Sequence, residues 1–543
     1  MPTDERRTLD ELLRFWAAQH PRAPAISNAA ISAELQLGSP AELDYRGADI
    51  VINQIAARFL SHGLTPGDAV AIQLPNTAEL ALIILGAMRA GLMACPLPFL
   101  WRAHEIEQAF ERLPVKGIVS VNQFGGHAYG QMMCELAARH LAVRFIYGVG
   151  KELTDGQTPI SDLLDPTISY ATALQVFQDF PENDVEDVAL VLWTVTPKGY
   201  KPVLWTHREL IAAGLQHVLA AQITTQDRLL NPYPLSSIVG VTGLFVPWLL
   251  SGIHLGQYQP FDYQAFVHQL ADDNVTYTVV PAPIAEHLLR DHKIASGTFK
   301  LFRLGSVTWP HLKPAGEPAP DERTLPIYDI QNLNDVACLI RARNGAGDNT
   351  AIELGEIQSV DSQYGRLVLL ETRMRGRLQE TDTSGSAVSG SLFVKGLSVP
   401  NTVTVTNLGH FTRETVDPWI DTGIACTLTE NAGVGATLLP PQALISHGGT
   451  IVRATELDTL YAAYDAFDDA AAFTIDDPVM GNRILAAAVL ASDAYLSVQD
   501  FKSYLEVQKV ASFKHPELIV LVDEIPRDRE GHVLRDLLLA RLS

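Results

Sequence analysis

The spacing of apolar and polar positions changes repeatedly between helical and extended patterns through residue 430. Helical spacing over residues 49–62 ends at the turn residues GLTPG (63–67), and a second helix is predicted over 77–90. Short apolar runs predict strands at DAVAIQLP (68–75), 115–121, 143–147 and VALVLW (188–193). This alternation predicts an α/β fold whose sheets are largely parallel.

A different pattern begins near residue 366. The runs RLVLLETR (366–373) and GSLFVKG (390–396) are short and extended, which predicts a β-rich section. The Ser/Thr/Gly-rich stretch TDTSGSAVSGS (381–391) predicts an exposed loop.

The Pro-Pro pair of LLPPQ (438–442) removes two backbone donors, which suits a linker better than the interior of an element. We therefore predict an N-terminal domain over 1–438, whose small β-rich section covers about 340–438, and a C-terminal α+β domain over 439–543.

Composition and charge narrow the classes of function. The 543-residue chain is 47% hydrophobic, enough for sizeable cores, and its formal net charge is −22. Such acidity argues against non-specific binding of nucleic acid or of an anionic membrane surface. The four cysteines form no CxxC pair, so neither a zinc site nor a disulfide framework is predicted. Together with an N-terminus that lacks an apolar signal core, these features predict a cytoplasmic protein.

The most apolar stretch of the chain is LALIILGAMRAGLMACPLPFLW (80–101). Arg89 and Pro96 interrupt it before about 18 apolar residues accumulate, and a membrane-spanning helix needs roughly that length. We therefore predict a buried helix followed by a strand, and no membrane span.

Five segments resemble, in the same order, the adenylate-forming superfamily of AMP-dependent acyl-CoA synthetases, peptide-synthetase adenylation domains and luciferases. They are GDAVAIQLPNTAELALIILGAMRAG (67–91), DRLLNPYPLSSIVGVTGLFVPWLLSGIHL (227–255), FRLGSVTWP (302–310), ISHGGTIVRATELD (445–458) and EIPRDREGHVLRDLL (524–538). The resemblance covers nearly the whole chain.

The resemblance implies a large adenylation-type domain followed by a small mobile C-terminal domain that acts as a lid. It also implies that ATP and Mg²⁺ activate a carboxylic acid as an acyl-adenylate. The acyl group then passes to CoA or to a phosphopantetheine arm, which an acyl carrier protein can supply. Because members of the family are often dimers, a homodimer is a further expectation.

The run WTVTPKGYKPV (193–203) is similar to the phosphate loop of the family, YTSGTTGxPKG. The resemblance assigns phosphate contacts to Thr194, Thr196, Lys198 and Gly199, and a catalytic role to Lys201. The run has one glycine, and its two prolines lack an N–H, so it cannot wrap a triphosphate as the family loop does. The alternative is an ordinary connection between two strands.

Two further segments resemble the motifs that hold the nucleotide and the metal. In QNLND (331–335), the resemblance assigns nucleotide contacts to Asn332 and Asn334 and makes Asp335 the metal ligand, a role that suits a carboxylate. The alternative for this segment is a polar strand end. In WIDTGIAC (419–426), Asp421 is the candidate for the ribose hydroxyls, because Ile424 stands where the family has aspartate.

The C-terminal motifs supply two more candidates. His532 in EIPRDREGHVLR stands where the family has the lysine that drives adenylation, so it is the catalytic candidate, and a solvent-facing histidine is the alternative. The pair Gly448–Gly449 resembles the loop that forms the pantetheine tunnel, and a plain β-turn is the alternative.

The acyl pocket of the family corresponds to YPLSSIVGVTG (233–243) and to the segment around Gly305. Ser237, Gly240 and Gly305 are the candidate substrate contacts. Their apolar neighbours predict either an apolar pocket or ordinary core packing.

Two functions are compatible with these motifs. The first is a divergent acyl-CoA synthetase-like ligase that uses ATP to convert a carboxylic acid into an acyl-adenylate and then a thioester. The second is a homologue that has lost ATP use and binds or transforms an acyl thioester, or serves as the partner of a true ligase. The second rests on four differences from the family: the glycine loop, the aromatic before Asn332, the aspartate of the ribose motif and the C-terminal lysine.

Overall fold

A computed structural model gives the conformation of most of the chain. The structure describes residues 7–29, 37, 42–167, 183–196, 198–290, 302–308, 325–343, 351–362, 365–378, 388–400, 403–405, 411–413, 417–429, 435–438, 444–477, 480–492 and 494–542. The predicted loop and linker therefore lie partly outside the described residues, at 381–387 and 439–442.

The chain divides into two compact units. The first unit consists of Met1–Phe99, Phe110–Thr194 and Pro202–Leu439, and the second of Leu100–Ala109, Val195–Lys201 and Pro440–Ser543. The longest segment of the second unit begins at Pro440, and the predicted domain boundary after residue 438 stays a prediction. No motif in the sequence indicates that two short segments from the first 201 residues belong to the second unit.

The first unit begins with two helices and two strands, and a seven-stranded sheet follows. The early elements are α1 (Leu9–Gln19), β1 (Pro24–Asn28), β2 (Glu42–Asp44) and α2 (Tyr45–Ser61). The sheet comprises β3 (Ala69–Gln73), β4 (Met93–Pro96), β5 (Val115–Val121), β6 (Phe145–Val149), β7 (Thr158–Pro159), β8 (Val188–Thr196) and β9 (Gly199–Thr206), in the order β7-β6-β5-β3-β4-β8-β9. Its connections carry α3 (Ala78–Arg89), α4 (Ala103–Phe110) and α5 (Tyr129–Arg139).

The apolar stretch at 80–101 forms a helix and a strand, as predicted. Every residue of α3 is buried, and β4 follows it in the sheet. The charge of Arg89 is accommodated by ion pairs, with Nη2 2.8 Å from Asp10 Oδ1 and 2.6 Å from Asp49 Oδ1. Among the described residues, no helix is both long and apolar enough to cross a membrane.

An eight-stranded sheet includes β1 and β2 and completes the α/β part of the first unit. Its other strands are β10 (Arg228–Asn231), β11 (His254–Gln257), β12 (Tyr277–Pro281), β13 (Arg303–Thr308), β14 (Ile327–Asn332) and β15 (Cys338–Ala342), in the order β15-β14-β13-β12-β10-β11-β1-β2. Its strands pair in parallel except at the two edges. The associated helices are α6 (His207–Ala220), α7 (Ile238–Gly240), a π turn (Val241–Phe245), α8 (Val246–Ser251), α9 (Tyr263–Asp272) and α10 (Ala282–Arg290).

The start of α6 follows from a local sequence signal. Thr206 ends β9 and caps α6: its side chain accepts from the backbone N–H of Glu209, and the Glu209 side chain accepts from that of Thr206. This capping box satisfies donors that the first helical turn leaves unpaired, so THRE marks the passage from strand to helix.

The β-rich section predicted at about 340–438 is an antiparallel sheet. It contains β16 (Ala351–Glu353), β17 (Gly355–Ser362), β18 (Gly365–Leu378), β19 (Val388–Lys395), β22 (Ile420–Thr429) and β23 (Gly435–Leu438), and β20 (Val403–Val405) pairs separately with β21 (Phe411–Arg413). The predicted α/β fold with a small β-rich section is therefore confirmed.

The C-terminal part of the second unit is α+β. A five-stranded sheet is formed by β24 (Leu444–His447), β25 (Thr450–Arg453), β26 (Phe467–Asp477), β27 (Gly481–Leu490) and β28 (Ile519–Leu521), with helices α11 (Ala454–Ala462), α12 (Val498–Val507) and α13 (Arg535–Leu542). Leu457, Tyr461, Phe501 and Leu505 are fully buried in its core, which places the inner faces of α11 and α12.

Candidate functional site

The segment that resembles a phosphate loop is the tip of a β-hairpin. Strand β8 continues to Thr196 and β9 begins at Gly199, so only two residues separate the two strands. Pro197 lies outside the described residues. The Thr196 hydroxyl donates to the Gly199 carbonyl at 2.8 Å and accepts from the Lys198 N–H at 3.2 Å. Gly199 has φ +117°, a conformation that L side chains rarely adopt.

The candidate phosphate contacts differ in their exposure. Lys198 and Lys201 are exposed, and within the described part of the chain neither has an ion-pair partner. Thr194 is buried in the part of β8 that belongs to the first unit. The hairpin tip therefore presents two cations, whereas the Thr194 side chain is enclosed.

A buried cluster of charged groups lies in the second unit. The Lys514 ammonium is 1% exposed, and its Nζ lies 2.9 Å from Glu105 Oε1, 2.7 Å from Glu456 Oε1 and 3.2 Å from the Tyr200 hydroxyl. Three acceptors therefore receive its three protons. We call Glu105, Tyr200, Glu456 and Lys514 the lysine clasp.

Further polar side chains hold Glu456. His104 Nε2 lies 3.1 Å from Glu456 Oε1, and Arg453 Nη2 lies 3.2 Å from Glu456 Oε2. Gln108 contacts both partners: its Nε2 is 3.0 Å from His104 Nε2, and its Oε1 accepts from Arg453 at 3.0 Å. Arg453 and Lys514 together balance the charges of the two carboxylates.

The electrostatics keep Lys514 and Glu456 of the lysine clasp ionised at neutral pH. Burial opposes the charge of Lys514, but Tyr200 and the two carboxylates outweigh it and hold the pKa of Lys514 above its ordinary value. Burial likewise opposes ionisation of Glu456, but the hydrogen bond from His104 and the charge of Lys514 lower its pKa to about 2. Both groups therefore remain charged far on either side of pH 7.

The C-terminal candidates occupy exposed turns of the second unit. His532 Nδ1 lies 3.1 Å from Asp528 Oδ2, and the His532 side chain is 66% exposed. Gly448 and Gly449 join β24 to β25 with φ values of +56° and +79°, as a two-residue hairpin turn requires. A Cβ on Gly448 would also lie 2.8 Å from Met480 Cε. The turn geometry is sufficient to explain the glycine pair.

In the first unit, candidate polar residues meet beyond the carboxyl ends of β10 and β14. Asp335 Oδ1 accepts from Asn332 Nδ2 at 3.0 Å, and the Asp335 N–H donates to Asn332 Oδ1 at 2.8 Å. The Ser237 side chain and the Ile238 backbone N–H also bond to the Asp335 carboxylate. Asn334 and Asp335 have φ values of +54° and +58°, left-handed conformations that short polar residues tolerate.

The surroundings of Asp335 do not favour a magnesium site. Burial raises the pKa of Asp335 to about 6, although the hydrogen bonds oppose the shift. Three hydrogen bonds use most of the lone pairs of this carboxylate, which leaves it little capacity to bind a magnesium ion, and its role as a metal ligand stays a prediction. Within the described residues, two groups of three His, Cys, Asp or Glu have suitably close donor atoms: His104, Glu105 and Glu456, and Asp528, Glu530 and His532. Asp335 belongs to neither group.

The raised pKa of Asp335 predicts a pH dependence of stability. Its contribution is complete below the ordinary pKa of 3.8 and is lost as the pH rises through about 6. Between pH 5 and pH 7.5, the wild-type free energy of unfolding should fall by about 1 kcal/mol more than that of Asp335→Asn. Urea denaturation of both proteins at the two pH values measures this difference, and parallel pH profiles would contradict the burial of an ionisable Asp335.

The candidate ribose residue lies near the same cluster. Asn334 Nδ2 donates to the Thr422 carbonyl at 2.8 Å, which ties the 331–335 segment to β22. Asp421 is exposed, and its Oδ1 accepts from the Gly423 N–H at 2.9 Å. Ile424 is buried. The structure thus brings Ser237, Asn332, Asn334 and Asp335 together and places Asp421 in the adjoining strand β22.

Two candidate pocket glycines are explained by close packing. A Cβ on Gly305, within β13, would lie 2.9 Å from Val279 Cγ2 and 3.1 Å from the Tyr277 hydroxyl. A Cβ on Gly240 would lie 2.3 Å from the Pro234 carbonyl oxygen. Their roles as substrate contacts stay predictions.

Replacing Gly240 by alanine should lower the free energy of unfolding by about 1–3 kcal/mol, because the new methyl group meets backbone rather than a side chain that can move. Gly243 in the same helical run is the matched control. A Cβ there meets nothing closer than 3.5 Å, and alanine favours the helix. Urea denaturation of both variants tests the difference, and equal losses would contradict the close approach at Gly240.

A model of one protein family matches more than half of the chain. The model describes an AMP-binding enzyme, and it matches residues 13–328. The chain belongs to the AMP-binding enzyme family. The general reaction of this acyl- and aryl-CoA-ligase-like family is adenylation followed by thioester formation.

Curated relatives are similar to this chain over nearly its whole length. The medium-chain fatty-acid–CoA ligase of Escherichia coli (strain K12) is 23% identical over 515 residues, which cover 92% of this chain and 85% of the relative. The salicyl-AMP ligase / salicyl-S-ArCP synthetase of Mycobacterium tuberculosis is 24% identical over 563 residues, covering 99% and 91%. The predicted membership of the adenylate-forming superfamily is confirmed.

A solved structure shows the same fold. The amide bond synthetase from Marinactinospora thermotolerans superimposes with a TM-score of 0.74 at 15% identity, covering 98% of this chain and 99% of that one. At this identity, the likeness shows the fold of this chain and says nothing about its substrate.

The sequence motifs did not lead to the lysine clasp. Its members Glu105, Tyr200, Glu456 and Lys514 come from four distant parts of the chain. No single short motif contains two of the three charged members.

Proposed function

We propose that this protein is an ATP-dependent ligase that activates a carboxylic acid and transfers its acyl group to a thiol. The observation that carries this proposal is the family match over residues 13–328. The hairpin tip adds support, because Lys198 and Lys201 are exposed cations where the family resemblance expects the phosphates of ATP.

The reaction consists of two displacements. A carboxylate oxygen of the acid attacks the α-phosphorus of ATP, and the bond to the β-phosphate oxygen breaks to release pyrophosphate. The thiol sulfur then attacks the acyl carbonyl carbon, loses its proton to solvent, expels AMP and forms the thioester. Lys198 and Lys201 are the proposed counter-charges for the phosphates in the first displacement.

The proposed acid carries an apolar group. Ile238, Val239, Val241 and Leu244 surround the candidate residues Ser237 and Gly240, and all four are fully or almost fully buried. Apolar side chains favour an apolar acyl or aryl group over a second charge. Relatives named for medium-chain fatty acids and for salicylate fit this class.

The proposal includes magnesium as part of MgATP and includes a thiol as the acceptor of the acyl group. We assign no protein ligand to Mg²⁺, because the Asp335 carboxylate is engaged in hydrogen bonds, and Mg²⁺ enters the proposal as part of MgATP. CoA and a phosphopantetheine-bearing carrier protein share the same thiol chemistry. The turn Gly448–Gly449 is the proposed contact for that arm.

The test is incubation with MgATP, a carboxylic acid and CoA, with the products identified by mass spectrometry. The panel should contain medium-chain fatty acids, benzoate and salicylate. A parallel experiment should replace CoA by a carrier protein that bears a phosphopantetheine arm with a free thiol. We expect an acyl-adenylate without thiol and a thioester when thiol is added. Failure of every acid to release pyrophosphate would refute the ligase and favour a homologue that handles acyl thioesters without ATP.

A further inference from the structure

The hairpin tip is anchored on one side and free on the other. Tyr200 is 5% exposed, whereas Lys201, its neighbour in β9, is exposed. Consecutive strand residues point to opposite faces, so the inward Tyr200 side chain leaves Lys201 directed outward. Lys198 at the turn is exposed as well.

Three kinds of contact fix Tyr200. Its hydroxyl accepts a hydrogen bond from Lys514 at 3.2 Å, and its ring centroid lies 4.5 Å from that of Trp101. The guanidinium carbon of Arg453 lies over the Tyr200 ring, 6.0 Å from its centroid. The tip is therefore held within the second unit by residues from two other segments.

The lysine clasp leaves its ammonium no spare proton. The Lys514 ammonium donates hydrogen bonds to Glu105 and Glu456, and it donates a third to the hydroxyl of Tyr200, which belongs to the hairpin tip. Glu105 is fixed in turn, because its Oε2 accepts from the Arg102 N–H at 2.9 Å and its Oε1 from the Ala511 N–H at 3.4 Å. Such a buried network specifies one arrangement of its members more than it adds stability.

We infer that Tyr200 and Lys514 are positioning residues that hold the hairpin tip so that Lys198 and Lys201 meet the phosphates of ATP from a fixed backbone. The inference rests on the proposed function. A fixed backbone reduces the conformational entropy lost when the two lysines order around the phosphates, so releasing the tip weakens ATP binding.

The variant that tests this is Tyr200→Phe, with Tyr504→Phe as the matched control, since it also removes one tyrosine hydrogen bond of the second unit but lies outside the lysine clasp. The phenylalanine keeps the contact with Trp101 and leaves Lys514 paired with both carboxylates, so the protein should fold, with a Tm lowered by a few degrees at most. Loss of one hydrogen bond to a charged donor should raise the Kd for MgATP about 3–10-fold. Titration calorimetry measures that change, and the control should bind ATP as the wild type does.

Limited trypsin digestion reports on the tip without using ATP. Pro202 protects the bond after Lys201, so the Lys198–Gly199 bond is the diagnostic cleavage within the tip. Tyr200→Phe should accelerate this cleavage about tenfold or more, with other sites unchanged.

The two readouts separate the possible failures. Unchanged cleavage, or an unchanged or tighter Kd for MgATP in Tyr200→Phe, would overturn the positioning role. Wild-type protein that binds no ATP would remove the proposed function. Faster cleavage in that case would leave the lysine clasp as a structural anchor only, which also overturns the positioning role.

Discussion

Replacing Lys514 by methionine should lower the free energy of unfolding by about 3–5 kcal/mol, because it leaves Glu105 and Glu456 buried without their shared cation. The loss should be much larger than that of an exposed ion pair, which contributes about 1 kcal/mol or less. Urea denaturation at neutral pH measures the effect, with Lys502→Met as the control that should stay within about 0.5 kcal/mol of wild type.

Restoring the charge balance sharpens this test. The variant that combines Lys514→Met with Glu105→Gln and Glu456→Gln removes both uncompensated charges. It should recover part of the stability that Lys514→Met loses, because neutral amides are less costly to bury than carboxylates. A loss below about 1 kcal/mol for Lys514→Met alone would contradict the buried, fully paired ammonium.

Removing both exposed cations of the hairpin tip, in the double variant Lys198→Ala and Lys201→Ala, should raise the Kd for MgATP by about 100-fold or more. Hydrogen bonds to charged groups contribute about 1.5–3 kcal/mol each, and two of them are lost. Stability should be unchanged, since neither lysine has an ion-pair partner among the described residues. Titration calorimetry and thermal unfolding give the two values.

The double variant also separates charge from geometry. The variant Lys198→Arg with Lys201→Arg keeps both charges and should retain most of the affinity for MgATP. An ATP affinity within threefold of wild type for the alanine pair would mean that the tip does not contact the phosphates, whatever holds it in place.

Local patterns were sufficient for most of the fold. The apolar run at 80–101 became α3 and β4 because its length and its interruptions suit a buried helix and strand. The strand at 115–121 matches β5 residue for residue. The strand predicted at 143–147 lies two residues later, at Phe145–Val149, because apolar spacing locates the ends of elements poorly.

The candidate site was less accessible from sequence. Ser237 belongs to one motif, and Asn334 and Asp335 belong to another about 100 residues later in the chain. Only the parallel order of β10, β12, β13 and β14 brings the two motifs to the same edge of the sheet. The hydrogen bonds that occupy Asp335 come from side-chain directions that periodicity does not specify. The lysine clasp joins residues up to 409 positions apart, from Glu105 to Lys514, so no local signal could reveal it.

The altered ATP motifs acquire a physical interpretation from the structure. The hairpin tip has lost the glycines that would let backbone N–H groups surround a triphosphate, but its two lysines are exposed and its backbone is fixed through Tyr200. Two lysine side chains on a fixed backbone would bind phosphate by charge, whereas a glycine-rich loop binds it through backbone N–H groups. We expect weaker nucleotide binding than a cradle provides, with a steeper dependence on salt.

Titration calorimetry of the wild-type protein with MgATP decides whether this protein binds the nucleotide that an ATP-dependent ligase must use. We expect one site per chain with a Kd in the micromolar to sub-millimolar range, and we expect added salt and the loss of Lys198 and Lys201 to weaken this binding. No detectable heat up to millimolar MgATP, from protein that unfolds cooperatively and binds CoA, would contradict an ATP-dependent ligase and indicate a protein that handles thioesters alone.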